Sequence, residues 1–274
     1  MKQDLSVKVV VATHKKYKMP MDRMYIPLHV GAEGNRGPKG EELDFGYIKD
    51  NTGDNISALN PGFCELTALY WAWKNLDADY IGLVHYRRHF SMKGKTGEFH
   101  KVLSRDEIEP YLPGIKIFLP SKRHYYIETL YSHYAHTHYA SQLDMTKVII
   151  QEKYPEYIKA YDKVLKQRAG YMFNMMIMQK EKLNEYCAWL FDILFELRTR
   201  MHMPELSMFQ GRFYGRVSEI IFNVWLAHQI DTGAISREEL MELWCIGMEK
   251  TNWIKKGTAF LSAKFFGKKY EGSF

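Results

Sequence analysis

The first third of the chain alternates between two hydrophobic periods, and that alternation limits what it can fold into. VKVVVATHKK (7–16) opens with a β-branched run bounded by polar residues, the pattern of a buried strand. MYIPLHVGAEG (24–34) starts strand-like and ends in glycines. Residues 31–62 hold Gly31, Gly34, Gly37, Pro38, Gly40, Gly53, Pro61 and Gly62, a long connection of the kind compact domains keep for function. In GFCELTALYWAWKNL (62–76), Leu66, Leu69, Tyr70 and Trp73 fall on one helical stripe, and YIGLVHYRRHF (80–90) returns to a buried strand. Strand, loop, helix, strand predicts an α/β fold with a mostly parallel, Rossmann-like central sheet flanked by helices.

The rest of the chain extends this scheme. GIKIFLPSKRHYY (114–126) reads as a third strand, and residues 129–166 as helix broken near Pro155. Residues 170–201 read as a strand followed by a long amphipathic helix, and GRVSEIIFNVWLAHQI (215–230) as another helix. No internal repeat, low-complexity run or clean boundary interrupts residues 1–249, which predicts a single domain with a helical C-terminal part.

Composition sets the class. With 46% hydrophobic and 26% charged residues the chain is an ordinary globular protein. Cys64, Cys187 and Cys245 lie far apart among apolar neighbours, which predicts reduced thiols in a cytoplasmic protein. The apolar run near the N-terminus is too short for a signal peptide, and no stretch approaches a spanning helix. Much of the net charge of +6 gathers in residues 250–274, where six lysines face Glu271 alone and interleave with Trp253, Phe260, Phe265 and Phe266. Basic and aromatic residues together suit an anionic membrane surface better than nucleic acid; a solubilising tail is the plain alternative.

In parallel sheets, ligands bind outside the carboxyl ends of the strands. That rule puts Thr13, His14 and Lys15 beside His85, Arg87 and Arg88 on one rim. The first turn carries neither GxGxxG nor a Walker pattern, which argues against a dinucleotide site and a P-loop. Asp77-Ala-Asp79 spells a metal-binding DxD, but it precedes the apolar strand instead of following it, and reads as a polar turn. His85-Tyr86-Arg87-Arg88 occupies the place such a motif would take. Fixed guanidinium charge can neutralise a leaving diphosphate as a metal would; surface ion pairs are the plain alternative. Strand alternation would put His85 and Arg87 on one face and Tyr86 and Arg88 on the other, so one arginine faces the ligand.

Two further groups stand out. RHYYIETLYSHYAHTHY holds His124, His133, His136 and His138, with i,i+3 spacing between His133 and His136 but no HExxH and no cysteine pair. Zinc, hydrogen bonding to an acceptor sugar by His136 or His138, and a plain surface are the readings. Glu219 lies near a helix start with Ser218 as a cap candidate, either an ordinary first-turn acid or a general base. No GxSxG supports hydrolase chemistry.

GDNISALNPGFCELTALYWAWKNLDADYIGLVHYRRHF (53–90) and AGYMFNMMIMQKEKLNEYCAWLFDILFEL (169–197) resemble a family of bacterial capsular and exopolysaccharide glycosyltransferases long classed as a domain of unknown function. The resemblance runs from VVVATHK to RVSEIIFNVWL. It implies a GT-A-like fold, with a nucleotide-binding half over about residues 1–125 and an acceptor half over 126–249. It further implies transfer of galactose or galactofuranose from a UDP-sugar to a lipid-linked oligosaccharide at the inner membrane face. Thr13, His14 and Lys15 would lie near the nucleotide. Gly53, Asp54 and Asn55 would contact uridine or ribose, and Asn174 would join the substrate set. His85, Arg87 and Arg88 would replace the metal motif, with Glu219 as base. The expectation is an inverting enzyme with no cofactor, a divalent cation not being favoured, and no nucleic-acid partner. The rivals are a histidine-dependent metallohydrolase and a non-catalytic nucleotide- or polyanion-binding protein.

Overall fold

The computed structural model describes residues 4–37, 39–201 and 206–249; the basic tail at 250–274 lies outside them. The chain divides into two compact units. The first comprises residues up to Ser121, Phe173–Cys187 and Ser236–Glu249; the second holds Lys122–Met172 and Ala188–Ile235. The chain leaves and re-enters the first unit twice, so no single linker exists for the sequence to display.

In chain order the first unit supplies β1 (Val7–Thr13), β2 (Tyr25–His29), β3 (Ile48–Lys49), α1 (Asn60–Phe63), α2 (Leu66–Asn75), β4 (Tyr80–His85), β5 (Arg88–Ser91), α3 (Arg105–Ile108) and β6 (Ile117–Pro120). The second unit adds β7 (Arg123–His124), α4 (Leu130–Thr137), α5 (Ala140–Lys153), α6 (Ile158–Leu165) and β8 (Ala169–Gly170). The first resumes with β9 (Met176–Gln179). α7 (Lys180–Arg200) begins in the first unit and ends in the second, α8 (Phe213–Asp231) belongs to the second, and β10 (Leu240–Gly247) returns to the first.

The parallel arrangement holds on one side of the sheet, in the order β3-β2-β1-β4. Beyond β4 it does not. There β9 runs antiparallel to Tyr80–Leu83, and β5 turns back from the end of β4. β6 lies antiparallel to β9 and parallel to Leu240–Leu243 of β10, while Trp244–Gly247 of β10 pairs antiparallel with β5. β4, β9, β6, β10 and β5 therefore pair in a closed ring. The expectation of a mostly parallel sheet fails on this side because β5 follows β4 through a tight turn, not a helical crossover.

Gly82 makes the junction of the two sides feasible. A Cβ there would sit 2.8 Å from the Met176 carbonyl oxygen and 2.7 Å from the Ile177 side chain, so only glycine lets β9 approach β4. One sheet face buries Val7, Val9, Val11, Tyr80, Val84, Phe90, Phe118, Ile177 and Ile246 in one cluster. Residues of opposite parity, Val10, Leu28, Ile81, Leu83 and Met176, are also fully buried, so both faces are covered. At about 1.5–3 kcal/mol for each buried aliphatic side chain, these faces supply the bulk of the folding drive.

The second unit is helical, with β7 and β8 as a two-stranded antiparallel ribbon. α4 starts from a capping box in which Thr129 Oγ1 accepts from the Ser132 amide at 3.0 Å. The break at Pro155 is a single 3₁₀ turn between α5 and α6, as proline's missing donor requires. Among the described residues no helix is long and apolar enough to cross a membrane.

Candidate active site

β4 ends at His85 and β5 begins at Arg88, and these two residues are direct antiparallel partners. Tyr86 and Arg87 form the turn between them. Facing residues of an antiparallel pair point to the same side of the sheet, so His85 and Arg88 share a face. This corrects the alternation drawn from sequence, which put His85 with Arg87. The chain does not run straight through HYRR; it reverses there.

The two arginines have different surroundings. Arg87 Nη1 pairs with Glu249 Oε2 at 3.2 Å, its carbonyl accepts from the Met248 amide at 2.8 Å, and its guanidinium lies 5.3 Å from the Tyr86 ring centroid. Arg88 stacks over the Phe173 ring at 4.7 Å and has no hydrogen-bond or ion-pair partner among the described residues. Stacking on an aromatic face holds a guanidinium in place without consuming its donors. Arg88 is thus the arginine with donors to spare; Arg87 holds the end of β10.

Phe173 and Asn174, in the turn before β9, organise the rest. Both have left-handed backbones, φ 77° and 51°, a conformation that costs a non-glycine residue on the order of 1–3 kcal/mol. The Phe173 carbonyl accepts a hydrogen bond from His85 Nε2 at 2.6 Å. Asn174, itself buried, donates from Nδ2 to Glu65 Oε1 at 2.7 Å. Glu65 precedes α2 and follows Cys64, another left-handed residue at φ 51°. Burial pushes the His85 imidazolium pKa below its ordinary value; the Glu65 carboxylate pulls it back up and the Arg88 guanidinium lowers it further. Glu65 escaped the sequence reading because nothing local marks it. Its role depends on a residue more than a hundred positions away.

Of the β1 residues, Thr13 is buried, and its hydroxyl donates to the Lys15 carbonyl at 2.6 Å. Lys15 lies over the Tyr86 ring at 5.1 Å, and His14 meets the same ring edge-on at 5.4 Å. Ala12 pairs with His85, so this segment does adjoin the HYRR turn. A second organising group missed in sequence is Asp50, fully buried beyond the end of β2. It accepts from the Gly31 amide at 2.8 Å, the Ala32 amide at 3.0 Å, the Thr67 hydroxyl at 2.7 Å and the Ser57 hydroxyl. Four donors on one carboxylate fix the glycine-rich connection to the first turn of α2.

Gly53, Asp54 and Asn55 are not gathered with this rim. The Asp54 amide donates to Asn75 Oδ1 at 3.1 Å, and Asn75 Nδ2 donates back to the Asp54 carbonyl at 2.8 Å. Asn75 is the last residue of α2, and Glu65 lies just before the first; the ten-residue helix is about 15 Å long. Gly53, Asp54 and Asn55 thus lie at the far end of α2 from Glu65, where the Asp54–Asn75 bonds hold their loop to the helix. Asp79 accepts from the Ser6 amide and hydroxyl, both at 2.7 Å, and Asp77 pairs with Lys180 at 2.5 Å. These two carboxylates stand at the amino end of β4, so they do not fit a cation at the carboxyl-end rim.

In the second unit, buried Glu128 receives His133 Nδ1 at 2.9 Å and His136 Nδ1 at 2.6 Å. Burial pushes His133 down to about 4, against the opposing pull of Glu128, so it is neutral at pH 7. His138 Nδ1 faces Gln210 Oε1 at 3.0 Å, and His124 is exposed on β7. The four histidines do not converge on one point. Glu219 is the seventh residue of α8, not a first-turn acid, and its carbonyl accepts from Asn223 Nδ2 at 2.8 Å. The Ser218 hydroxyl donates to the Gly215 carbonyl, so Ser218 is not the cap; Arg212 holds that position.

Residues 8–230 match the family model described as "Domain of unknown function (DUF4422)". The chain belongs to that family. No curated protein matches it. Among solved structures, a WbbM bifunctional glycosyltransferase in its apo form is similar, with 31% identity and a TM-score of 0.81 over 89% of this chain. The match takes in 46% of that protein, so the present DUF4422 chain spans just under half its length. The fold of this family member, a mixed α/β sheet with helices, is accordingly similar to that of a glycosyltransferase.

Proposed function

We propose that the chain is a glycosyltransferase of GT-A-like organisation that moves a hexose, galactose or galactofuranose, from a UDP-sugar to a lipid-linked oligosaccharide in capsular or exopolysaccharide synthesis. The observation that carries the reading is Arg88. It is a guanidinium that opens β5 opposite His85, the last residue of β4, stacked on Phe173, with its donors uncommitted among the described residues. The similarity to a bifunctional glycosyltransferase supports the reaction class.

In this reading the acceptor hydroxyl attacks the anomeric carbon. The new C–O bond forms as the bond to the diphosphate breaks, and the electron pair leaves on the phosphate oxygen. Arg88, helped by Lys15, neutralises that charge where a metal would otherwise act. An inverting transfer needs a single base for the acceptor proton, and Glu219 is the carboxylate that the sequence nominates for that role. The basic tail at 250–274 rests on anionic lipid at the cytoplasmic face, near the acceptor.

The test is release of UDP from a panel of UDP-hexoses in the presence of chelator, with a short acceptor oligosaccharide. Turnover with one UDP-hexose, unaffected by chelator and nearly abolished in Glu219→Gln with donor binding intact, is the expected result. Binding of UDP without turnover of any donor would reduce the chain to a nucleotide-binding protein.

A further inference from the structure

Glu65 is assigned no part in the reaction above, and His85 so far appears only beside the arginines. A carbonyl oxygen can only accept a hydrogen bond, so the contact of His85 Nε2 with the Phe173 carbonyl at 2.6 Å puts the ring proton on Nε2. Burial and Arg88 hold off a second proton against the opposing pull of Glu65, leaving Nδ1 as a bare lone pair. Nδ1 makes no hydrogen bond among the described residues. The lowered pKa favours the uncharged ring, so the fixed positive charge of this group is that of Arg88.

Glu65 offers acceptors only. Oε1 is taken by the amide of Asn174 at 2.7 Å, which leaves Oε2 without a hydrogen bond among the described residues. The neighbourhood of Glu65, His85 and Arg88 therefore presents two acceptors and one cation on a frame of two left-handed segments, Cys64 and Phe173–Asn174. A carboxylate repels phosphate, so Glu65 is not a second phosphate ligand. The nearby guanidinium also disfavours a metal ion on the two acceptors. What suits such a set is a molecule with an anion at one end and hydroxyl donors next to it.

We infer that Glu65 Oε2 and His85 Nδ1 accept hydrogen bonds from hydroxyls of the donor's sugar ring, and so select the sugar, while Arg88 holds the adjoining phosphate. This rests on the nucleotide-sugar reading and adds to it the residues that distinguish UDP-hexose from UDP.

Titration calorimetry on the full chain separates the two ideas. Dissociation constants for UDP and for the UDP-hexose turned over fastest are measured for wild type, Glu65→Gln, Glu65→Ala, His85→Gln and Arg88→Ala. Loss of a hydrogen bond to a charged acceptor corresponds to about tenfold or more in affinity. The expected result is that Glu65→Ala weakens UDP-hexose about tenfold or more and the His85 variant about two- to tenfold, each changing UDP by less than about twofold, whereas Arg88→Ala weakens both. A donor lacking the contacted hydroxyl should lose affinity for wild type and lose little more for Glu65→Ala. If wild type binds no UDP, the nucleotide-sugar reading itself falls. If UDP binds and depends on Arg88, yet the Glu65 and His85 variants weaken UDP and UDP-hexose equally or neither, this inference alone is overturned. Melting temperature identifies any variant that fails to fold, and the remaining variants then decide.

Discussion

Replacing Arg88 and Arg87 one at a time is the sharpest test of the rim, because sequence treats them alike and the structure does not. Arg88 stands over Phe173 at 4.7 Å with its donors uncommitted among the described residues; Arg87 is spent on Glu249 at 3.2 Å. Charge-assisted hydrogen bonds to phosphate are worth roughly 2–3 kcal/mol, so Arg88→Ala should lower kcat/KM by about 30- to 150-fold. Arg88→Lys keeps the charge but loses the fork and the ring stacking, and should recover only part of that loss. Both residues of the Arg87–Glu249 pair are substantially exposed, with side chains 39% and 43% accessible. Such pairs contribute about 0–1 kcal/mol, so Arg87→Ala should change kcat/KM by about fivefold at most. Initial rates against UDP-hexose concentration, with calorimetric Kd for UDP, give both quantities. Equal losses in the two variants, or a larger loss for Arg87, would refute the division of labour drawn from the hairpin.

The remaining expectations are more local. UDP binding should have the same Kd with manganese and with chelator, since Asp77 and Asp79 serve Lys180 and Ser6; a chelator-sensitive Kd would contradict this. Cys64→Val should cost about 1–3 kcal/mol because a β-branched residue resists φ 51°, while Cys64→Gly should stay within about 1 kcal/mol, as read by chemical denaturation. His89, fully buried in β5, has its pKa pushed by burial down to about 4, below its unfolded value of roughly 6.5. A depressed folded pKa gives stability that is present at pH 7 and is lost as pH falls from about 6.5 through about 4. His89→Leu should therefore flatten the stability–pH slope in that window by one proton, and an unchanged slope would sink the argument. Deleting 257–274 should weaken binding to anionic vesicles at low salt and spare activity on a soluble acceptor; equal vesicle binding would remove the tail from the scheme.

What could be read in advance divides by the range of the interaction. β1, α2 and β4 were legible because each carries its own period within a few residues, and Pro155 announced its break. The HYRR reversal was not legible: tight hairpins advertise themselves with Asn-Gly or Gly-X, and Tyr86-Arg87 has neither. β10 gave no signal either. Its burial follows no alternation, since one half pairs with β6 and the other with β5. Asp50 and Glu65 look like ordinary loop acids until the amides, hydroxyls and Asn174 that they meet are in place. Glu219 shows the opposite failure: the helix was read correctly, but its start fell two residues before the first one assigned from sequence, and the first-turn argument went with it.

The ring of strand pairings has a consequence for how the rim comes into being. β4 and β5 emerge from a ribosome early, yet β9 arrives only at Met176–Gln179, and β10, whose second half pairs with β5, at Leu240–Gly247. Pairings this distant in sequence carry a loop-closure cost before any contact repays it. Until they form, the β9-facing side of β4 and the outer edge of β5 offer bare amides and carbonyls to whatever passes. A nascent chain therefore holds Arg88 without the Phe173 ring beneath it until Phe173 itself has been made. A chain cut short near residue 235 would leave β5 without β10 and Arg87 without the Met248 amide, exposing that edge to neighbouring copies. Ribosome-stalled lengths ending on either side of β10 would differ in protease resistance of the 80–91 hairpin, with the protected form appearing only after residue 247 has left the exit tunnel.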